Sequence, residues 1–259
     1  MSSREIEIEF KGSRSFTSQQ LLAVLKEASG QYKPTCVPTE DNYKAEHFAF
    51  CLRRVQNFVA SRGYLQARVS EPLLESQVDG PRLVVTLDEG VLYRLGQIKI
   101  VGSSLFTPEQ LILMLDLKRG NIADGEIIGE WLYQRIKKVY ANLGYIQFTA
   151  EPEPEFHLNS EGAREGVVNL IVTIEEGRLF IIRTIKFEGN ATTPEDILRR
   201  QMLVREGEAF NEELFQESIK LLNQMELFAH IDPDKNVDFR TDNESSALNI
   251  TIHVKQRPH

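Results

Sequence analysis

One segment of this chain occurs twice, and its spacing sets the size of the folding unit. Residues 89–110 have the sequence EGVLYRLGQIKIVGSSLFTPEQ, and residues 176–195 have the sequence EGRLFIIRTIKFEGNATTPE. Both copies fit the pattern E-G-x-L-[YF]-x-[LI]-x-x-I-K-[IF]-x-G. The repeat length of roughly 80–90 residues exceeds the roughly 20–50 residues of a solenoid unit and is close to that of a small domain.

A fainter copy of the same segment opens the chain. Residues 6–12 alternate apolar and charged side chains and end in Gly12, just as the later copies end in Gly102 and Gly189. This third copy completes the pattern, because it places one copy at the start of each third of the chain. The sequence therefore predicts three tandem domains, with boundaries at 1–94, 95–181 and 182–259.

Each repeat predicts a β-strand followed by two helices. An alternating segment that ends in glycine indicates a strand with one buried face. The first helix is expected to start at a threonine N-cap, which two of the repeats follow with proline and an acidic residue. These starts are Thr17–Gln20, Thr107–Gln110 and Thr193–Asp196. The second helix is predicted at about residues 42–62, 124–143 and 211–227, where apolar residues recur at helical spacing.

Two further strands close each repeat. The first contains an acid-proline step and is predicted at residues 65–74, 146–156 and 229–239. Proline donates no backbone hydrogen bond, so these strands are expected at a sheet edge or with a bulge. The last strand is the most apolar, at residues 83–87, 167–174 and 248–254, and is expected in the centre of the sheet. The predicted fold class is α+β, with three β-α-α-β-β modules, each a three-stranded mixed sheet with two helices on one face.

Glycine marks the end of the second helix in two of the repeats. Gly63–Tyr64 and Gly144–Tyr145 follow the predicted helices, and the third repeat has Leu227–Phe228 at the position that we expect to correspond. The junctions to the next repeat, Val91–Gln97 and Arg178–Thr184, are short. We therefore expect the domains to be joined tightly.

Composition excludes several classes of function. The chain has a net charge of −8 and a pI near 5.3, whereas binding to nucleic acid or to an anionic membrane surface needs clustered basic residues. No run approaches the roughly 18–20 apolar residues that a membrane-spanning helix requires. From the residues alone, the chain is either a cytosolic protein or a soluble part of a larger one.

Cys36 and Cys51 are the two cysteines of the chain, and both lie in the first repeat. Two cysteines are too few for a cysteine-based zinc site or for a disulfide scaffold. One interpretation is a disulfide between them. The other is a buried helix thiol and an unrelated loop thiol, and the sequence leaves both open.

No catalytic or cofactor motif is present in the sequence. The five histidines lack metal-binding spacing, so we expect no metal, no cofactor and no enzymatic activity; they are His47, His157, His230, His253 and His259. Glu151, Glu153 and Glu155 could suggest a cation site, but their alternation with proline is more typical of a solvated strand edge. Trp131 precedes an apolar helix stripe, and we interpret it as a packing residue rather than a binding hot spot.

The repeated motifs resemble the POTRA domains of the outer-membrane assembly factor (BamA) family. The resemblance rests on the Glu-Gly-x-Leu-aromatic junction, the Thr-Pro-Glu helix start and the Gly-Tyr helix end, and it covers nearly the whole chain. It implies the periplasmic arm of an outer-membrane β-barrel assembly protein, attached to the membrane through a C-terminal barrel that this chain lacks. It also implies unfolded outer-membrane proteins and accessory assembly lipoproteins as partners, and we expect a monomeric fragment.

Two alternatives lie within the resemblance and one outside it. The arm could belong to a two-partner secretion pore or to a TamA-like translocation and assembly protein. A cytosolic enzyme with an acidic cleft would need converging titratable groups, and the sequence offers no such set.

The predicted working surface is the edge strand of the third repeat. An edge strand offers unpaired backbone groups to an extended peptide, and its groove accepts alternate side chains. This edge has one proline, Pro233, whereas the second repeat has two. The resemblance also implies that this repeat lies nearest the membrane. The expected client contacts are Ala229, Ile231, Val237 and Phe239; the alternative is that the edges belong to spacers.

Overall fold

The structure is a computed structural model that describes residues 4–27, 36–78 and 80–257. We refer to the three repeats as the first, second and third modules. The described residues form one β-sheet in each module, with the last strand of the module in the centre. The chain divides into two compact units. One is formed by Met1–Lys99, Leu115–Glu130 and Glu153–Ile171, and the other by Ile100–Met114, Trp131–Pro152 and Val172–His259.

The first module is a mixed sheet with two helices. Its elements are β1 (Glu7–Lys11), α1 (Ser18–Lys26), α2 (Ala45–Ala60), β2 (Arg68–Val69), β3 (Leu73–Gln77) and β4 (Gly80–Asp88). Strand β1 pairs with the central β4 in parallel, and β2 and β3 pair with it antiparallel. The predicted edge strand is interrupted at Glu71–Pro72, where proline lacks the N–H that the ladder needs.

The core of the first module lies between its helices and its sheet. Thr17 caps α1, since its side chain accepts a hydrogen bond from the Gln20 N–H and the Gln20 side chain returns one to the Thr17 N–H. The apolar faces of both helices pack with the inward side chains of β1 and β4. The buried residues include Ile6, Phe10, Leu21, Leu25, Phe48, Leu52, Val55, Val59, Leu83, Val85 and Leu87.

The second module has the sheet order β5-β7-β6. Its elements are β5 (Leu92–Val101), α3 (Pro108–Ile112), α4 (Gly125–Glu130), a π-helical segment (Trp131–Ile136), α5 (Lys137–Asn142), β6 (Thr149–Leu158) and β7 (Glu165–Glu175). Trp131 is fully buried, and its Nε1 donates a hydrogen bond of 2.8 Å to the Leu111 carbonyl. The indole is therefore a core residue with its donor satisfied.

The third module has the sheet order β8-β10-β9. Its elements are β8 (Ile181–Glu188), α6 (Glu195–Arg199), α7 (Glu212–Gln224), α8 (Pro233–Asn236), β9 (Val237–Asp242) and β10 (Ala247–His253). Strand β8 pairs with β10 in parallel and β9 pairs with it antiparallel. The predicted Thr193 N-cap is wrong, because the Thr193 hydroxyl contacts the Gln256 side chain and α6 begins after Pro194 without a side-chain cap.

The first strands of the second and third modules begin earlier than predicted. Strand β5 begins at Leu92 rather than Ile98, and β8 begins at Ile181 rather than Ile185. Their early residues form backbone hydrogen bonds with the segment that joins the two helices of their own module, such as the Leu95 N–H to the Asn121 carbonyl. The stretches predicted as junctions are therefore mostly strand. The exact domain boundaries stay a prediction.

The end of the second helix in the third module lies one residue earlier than the predicted alignment with the other modules. Gly63 and Gly144 both have φ +91°, and Glu226, with φ +56°, takes this position in the third module. Glu226–Leu227, rather than Leu227–Phe228, therefore corresponds to Gly144–Tyr145. An L side chain rarely adopts the φ of +91° at Gly144, so glycine is favoured there.

Candidate functional site

Each described sheet has an edge formed by the strand that contains or follows the acid-proline step. Strands β6 and β9 each pair only with a central strand, and in the first module this edge is shared by β2 and β3. In an antiparallel pair, every second residue directs its N–H and C=O away from its partner. These outward groups can bond an added strand, so the side chains around each edge decide which one is suited to binding.

Strand β9 is a short edge held at its beginning by a helical turn. The register pairs Val237 with Ile252 and Phe239 with Ile250. Before the strand, the Asp232 carboxylate accepts hydrogen bonds from Lys235 Nζ and from the Asp234 N–H, and these bonds lower the pKa of Asp232. The turn fixes where the edge begins and leaves the strand itself without proline.

An aromatic groove lies beside β9. Its volume is about 310 Å³, and its apolar lining consists of Ala141, Ile146, Phe210, Phe215, Pro233 and Phe239. The Phe239 ring contacts the rings of Phe210 and Phe215 edge-on, at centroid distances of 5.7 and 5.2 Å. Charged side chains of both signs stand around it: Lys137, Glu212 and Asp234. The groove can accept an apolar side chain from a strand added to β9.

The opposite face of β9 is polar. Asp238 and Arg240 alternate with Val237 and Phe239 and are exposed. The Asp238 carboxylate contacts His253 Nε2 at 3.0 Å. Since the apolar groove lies on only one face of the strand, an added segment with alternating apolar and polar residues would match it.

The structure places the four predicted contact residues in two different environments. Val237 and Phe239 lie on β9, and Phe239 is 44% exposed. Ala229 and Ile231 lie before α8, outside any strand, and Ile231 is buried. The Ile231 N–H and carbonyl are both bonded to the Asn223 side chain, and the Ala229 N–H is bonded to the Lys255 carbonyl. The prediction of one edge strand through Ala229 and Ile231 is therefore wrong, because a helical turn intervenes.

Strand β6 is an edge of a different kind. It runs continuously through Pro152 and Pro154, neither of which can donate a backbone hydrogen bond. Glu151, Glu153 and Glu155 are all exposed on it. Proline and like charges are features that prevent strand addition, so the structure agrees with the solvated-edge interpretation.

Strand β3 is a candidate that the sequence analysis missed. It contains no proline, and Leu73 and Leu74 are 61% and 48% exposed. Adjacent leucines in a strand were a usable signal, because successive side chains point to opposite faces and one of the two must face outward.

The structure joins Cys36 and Cys51 in a disulfide, with their Cα atoms 5.6 Å apart. The bond connects the segment before α2 to the middle of that helix, where Cys51 is fully buried. The pairing of these cysteines in solution stays a prediction.

Comparison with protein families matches all three modules. The model of the POTRA family, described as a surface antigen variable number repeat, matches residues 6–90, 93–177 and 180–257. The chain belongs to the POTRA family. POTRA domains are non-catalytic scaffolds, which agrees with the prediction that the chain is not an enzyme. The predicted fold class of three tandem α+β modules is confirmed.

The relatives of these POTRA domains include outer membrane protein assembly factors. A provisionally named assembly factor of Treponema pallidum (strain Nichols) is 28% identical over 96% of the chain. BamA of Neisseria meningitidis serogroup B (strain ATCC BAA-335 / MC58) is 23% identical over 92% of it. The chain spans 29% of the length of each of these two proteins.

A solved structure of POTRA domains has the same fold. The crystal structure of Haemophilus influenzae BamA POTRA3-5 aligns with a TM-score of 0.75, covering 98% of this chain and 97% of that one. The two sequences are 19% identical, so the match concerns the fold.

The described part of the chain contains neither a metal-binding cluster nor a membrane-spanning helix. Within residues 4–27, 36–78 and 80–257, no group of three or more His, Cys, Asp or Glu side chains is placed to hold a metal ion, and His259 lies outside these ranges. In the same part of the chain, no helix is long and apolar enough to cross a membrane.

Proposed function

We propose that this chain forms the periplasmic arm of an outer-membrane β-barrel assembly protein. Its POTRA domains bind unfolded outer-membrane proteins, and accessory assembly proteins, by accepting an extended segment at a sheet edge. Relatives named as outer membrane protein assembly factors support a role in β-barrel assembly. The open sheet edges support binding by strand addition. The periplasmic location and the partners belong to the same proposal.

The observation that carries the proposal is the combination of an open edge and an aromatic groove at β9. The strand has six residues, of which every second one directs its backbone groups outward. Phe239, Phe210 and Phe215 form the wall of the groove beside it. Backbone bonding alone tolerates many sequences, and the groove adds a preference for an apolar residue at alternate positions.

Replacement of Phe239 tests the groove. We expect Phe239→Ala to weaken binding of a fluorescent peptide, taken from a membrane strand of an outer-membrane barrel, by about ten-fold, since it removes an exposed aromatic anchor. Fluorescence anisotropy on the full chain measures the affinity, and circular dichroism checks that the variant is folded. Proline at Val237 is a poorer test, because Val237 has φ −127° and proline imposes about −65°.

A control variant lies on the same strand. Arg240→Ala changes an exposed side chain on the polar face and should alter the affinity less than about two-fold. A second peptide, methylated on alternate backbone nitrogens, should lose binding if strand addition supplies the main bonds. Equal affinity of the wild type and Phe239→Ala, or full binding of the methylated peptide, would place client capture elsewhere.

A further inference from the structure

A second groove adjoins the aromatic groove beside β9. It lies between the π-helical segment and α5 on one side and α7 on the other, and its volume is about 460 Å³. We call it the helix channel, and its lining includes Tyr133, Lys138, Glu213, Glu217 and Lys220. Lys137, Glu212 and Gln216 line both the helix channel and the aromatic groove. Because the two grooves share these three residues, one depression leads from Phe239 to Tyr133.

Both walls of this depression are helix faces, and residues four apart lie on the same side of a helix. The residues at this spacing are Tyr133, Lys137 and Ala141 on one wall and Glu212, Gln216 and Lys220 on the other. The stretch of α7 from Glu212 to Lys220 spans about 12 Å at about 1.5 Å per residue. About four residues of an extended chain, at about 3.3 Å each, would cover that length.

Side-chain bonds join the two walls. The Asn142 side chain accepts a hydrogen bond of 2.9 Å from the Glu213 N–H and donates one of 3.2 Å to the Glu213 carboxylate. Lys138 Nζ lies 3.1 Å from the other oxygen of that carboxylate. The Glu213 N–H belongs to the first turn of α7, where backbone N–H groups have no partner within the helix. The end of α5 therefore caps the start of α7 and sets the distance across the helix channel.

The helix channel is polar, and its charges balance. Its lining contains three lysines and three glutamates. Lys138 pairs with Glu213, and Lys220 lies 3.0 Å from Glu217. Tyr133 lies one helical turn beyond Lys137 and is 56% exposed. Uncharged polar side chains can bond such a lining without displacing an ion pair, and an apolar side chain can pack on the tyrosine ring.

We propose that the helix channel binds the continuation of the client segment that is added to β9. About four uncharged polar residues of the segment lie along the channel, and an aromatic or aliphatic residue after them packs on Tyr133. The occupant is the same segment because the channel opens into the aromatic groove. This inference rests on the function proposed above, and it adds a requirement on the length and sequence of the segment.

Peptides of two lengths test the continuation on the full chain. The short peptide has six residues, the length of β9, with apolar residues at alternate positions. Each of two long peptides adds serines and threonines at about four positions and then a phenylalanine, one at the N-terminus and the other at the C-terminus. Because a bound segment has one direction, only one long peptide should bind more tightly than the short one, by about ten-fold in fluorescence anisotropy.

Replacement of Tyr133 locates the gain. Tyr133→Ala should remove it and leave the affinity for the short peptide unchanged, whereas Phe239→Ala should weaken the binding of both peptides. Phe50→Ala is the matched control, since Phe50 is 59% exposed on α2 and lines neither groove, and it should change neither affinity. Circular dichroism checks that each variant is folded.

Cross-linking identifies the residues beside the extension. A benzophenone in place of the added phenylalanine should attach to residues 133–138 or to α7, as read by mass spectrometry. Attachment elsewhere, no gain or equal gains from the two extensions, or a full gain in Tyr133→Ala would overturn this inference alone, since the short peptide still binds. Failure of the short peptide to bind the wild type would instead overturn the proposed function, and this inference with it.

Discussion

One position of the fold is occupied by Glu89 in the first module, Glu176 in the second and Gln256 in the third. It lies two residues after the backbone carbonyl that approaches Gly12, Gly102 and Gly189 respectively. The two glutamates bind the loop that follows the first strand of their module. The Gln256 side chain contacts the Thr193 hydroxyl, at 3.3 and 3.4 Å. One fold position thus carries a charge-assisted network in two modules and a weak amide contact in the third.

The first module has the most buried version of this network. Glu89 is 7% exposed and accepts hydrogen bonds from the backbone N–H groups of Arg14 and Ser15 and from the hydroxyls of Ser13 and Ser15, at 2.6–2.8 Å. Burial acts to raise the pKa of Glu89, but the hydrogen bonds outweigh it and the pKa is lowered. The loop is therefore organised around a negative charge.

The second module adds a phenol to the network. Tyr140 donates to Glu176 at 2.8 Å and contacts the Ser103 hydroxyl at 2.9 Å. Burial opposes ionisation of both groups, and it raises the pKa of Tyr140 to about 12. The hydrogen bonds from Ser104, Leu105 and Tyr140 prevail at the carboxylate and lower the pKa of Glu176 to about 2. Since both carboxylates have lowered pKa values, we expect the carboxylate, rather than the shape of the loop, to make the stability of these two modules depend on pH.

The largest expected effect is the loss of the carboxylate in the first module. Glu89→Ala leaves the Arg14 and Ser15 N–H groups without their acceptor and should lower the free energy of unfolding of that module by about 2–3 kcal/mol. The matched variant Gln256→Ala should cost about 0.5 kcal/mol, since its contacts are long. Urea unfolding followed by hydrogen exchange in each module measures both. Equal losses of unfolding free energy in the two variants would contradict the difference that we draw between the carboxylate and the glutamine.

The stability of the second module should depend on pH more strongly in the wild type than in a variant that cannot titrate at position 176. Because the folded pKa of Glu176 lies below the unfolded value of about 4.3, its stabilisation is complete above that value and is lost as the pH falls towards about 2. Trp131 is the single tryptophan, so its fluorescence reports urea unfolding of this module. The urea midpoint should fall between about pH 5 and pH 3 in the wild type and fall less in Glu176→Gln. Parallel curves for the two proteins would assign the acid sensitivity to other groups.

The smallest expected effect concerns the end of α7, where the third module has Glu226 in place of the glycine of the other two modules. Glu226 has φ +56°, a conformation that costs a non-glycine residue about 1 kcal/mol. Glu226→Gly should therefore stabilise the third module by up to about 1 kcal/mol, offset in part by the greater freedom of glycine in the unfolded chain. Thermal unfolding checks the sign. Gly144→Ala is the reverse control and should destabilise the second module, because alanine is strained at the φ of +91°.

Much of the fold was available from local patterns. The repeated junction, the alternation of β1, β5 and β8, and the apolar composition of β4, β7 and β10 predicted three modules with the correct central strands. These signals are local, because a central strand, with a neighbour on each side, is apolar over most of its length and an edge strand need not be. The Thr17 and Thr107 caps followed in the same way, whereas Thr193 did not, because its hydroxyl contacts Gln256 in another segment.

The candidate site was predicted only in part. Val237 and Phe239 were correctly placed on an edge strand, but a proline inside the predicted strand began the α8 turn, and Asn223 took both backbone groups of Ile231. A single proline fits an edge strand and the first turn of a helix equally well. The aromatic groove was not predicted, since its lining comes from α5, α7, α8, β9 and two connecting segments.

The sequence by itself determined the number of modules, the order of their elements and the strand at the centre of each sheet, because repeat spacing, periodicity and apolar content are properties of neighbouring residues. Only the tertiary structure decided which edge adjoins a groove and which carboxylate organises a loop. Glu89 and its serine partners are separated by most of a module in sequence. Such contacts depend on how the elements pack, and no local pattern encodes the distance between their side chains.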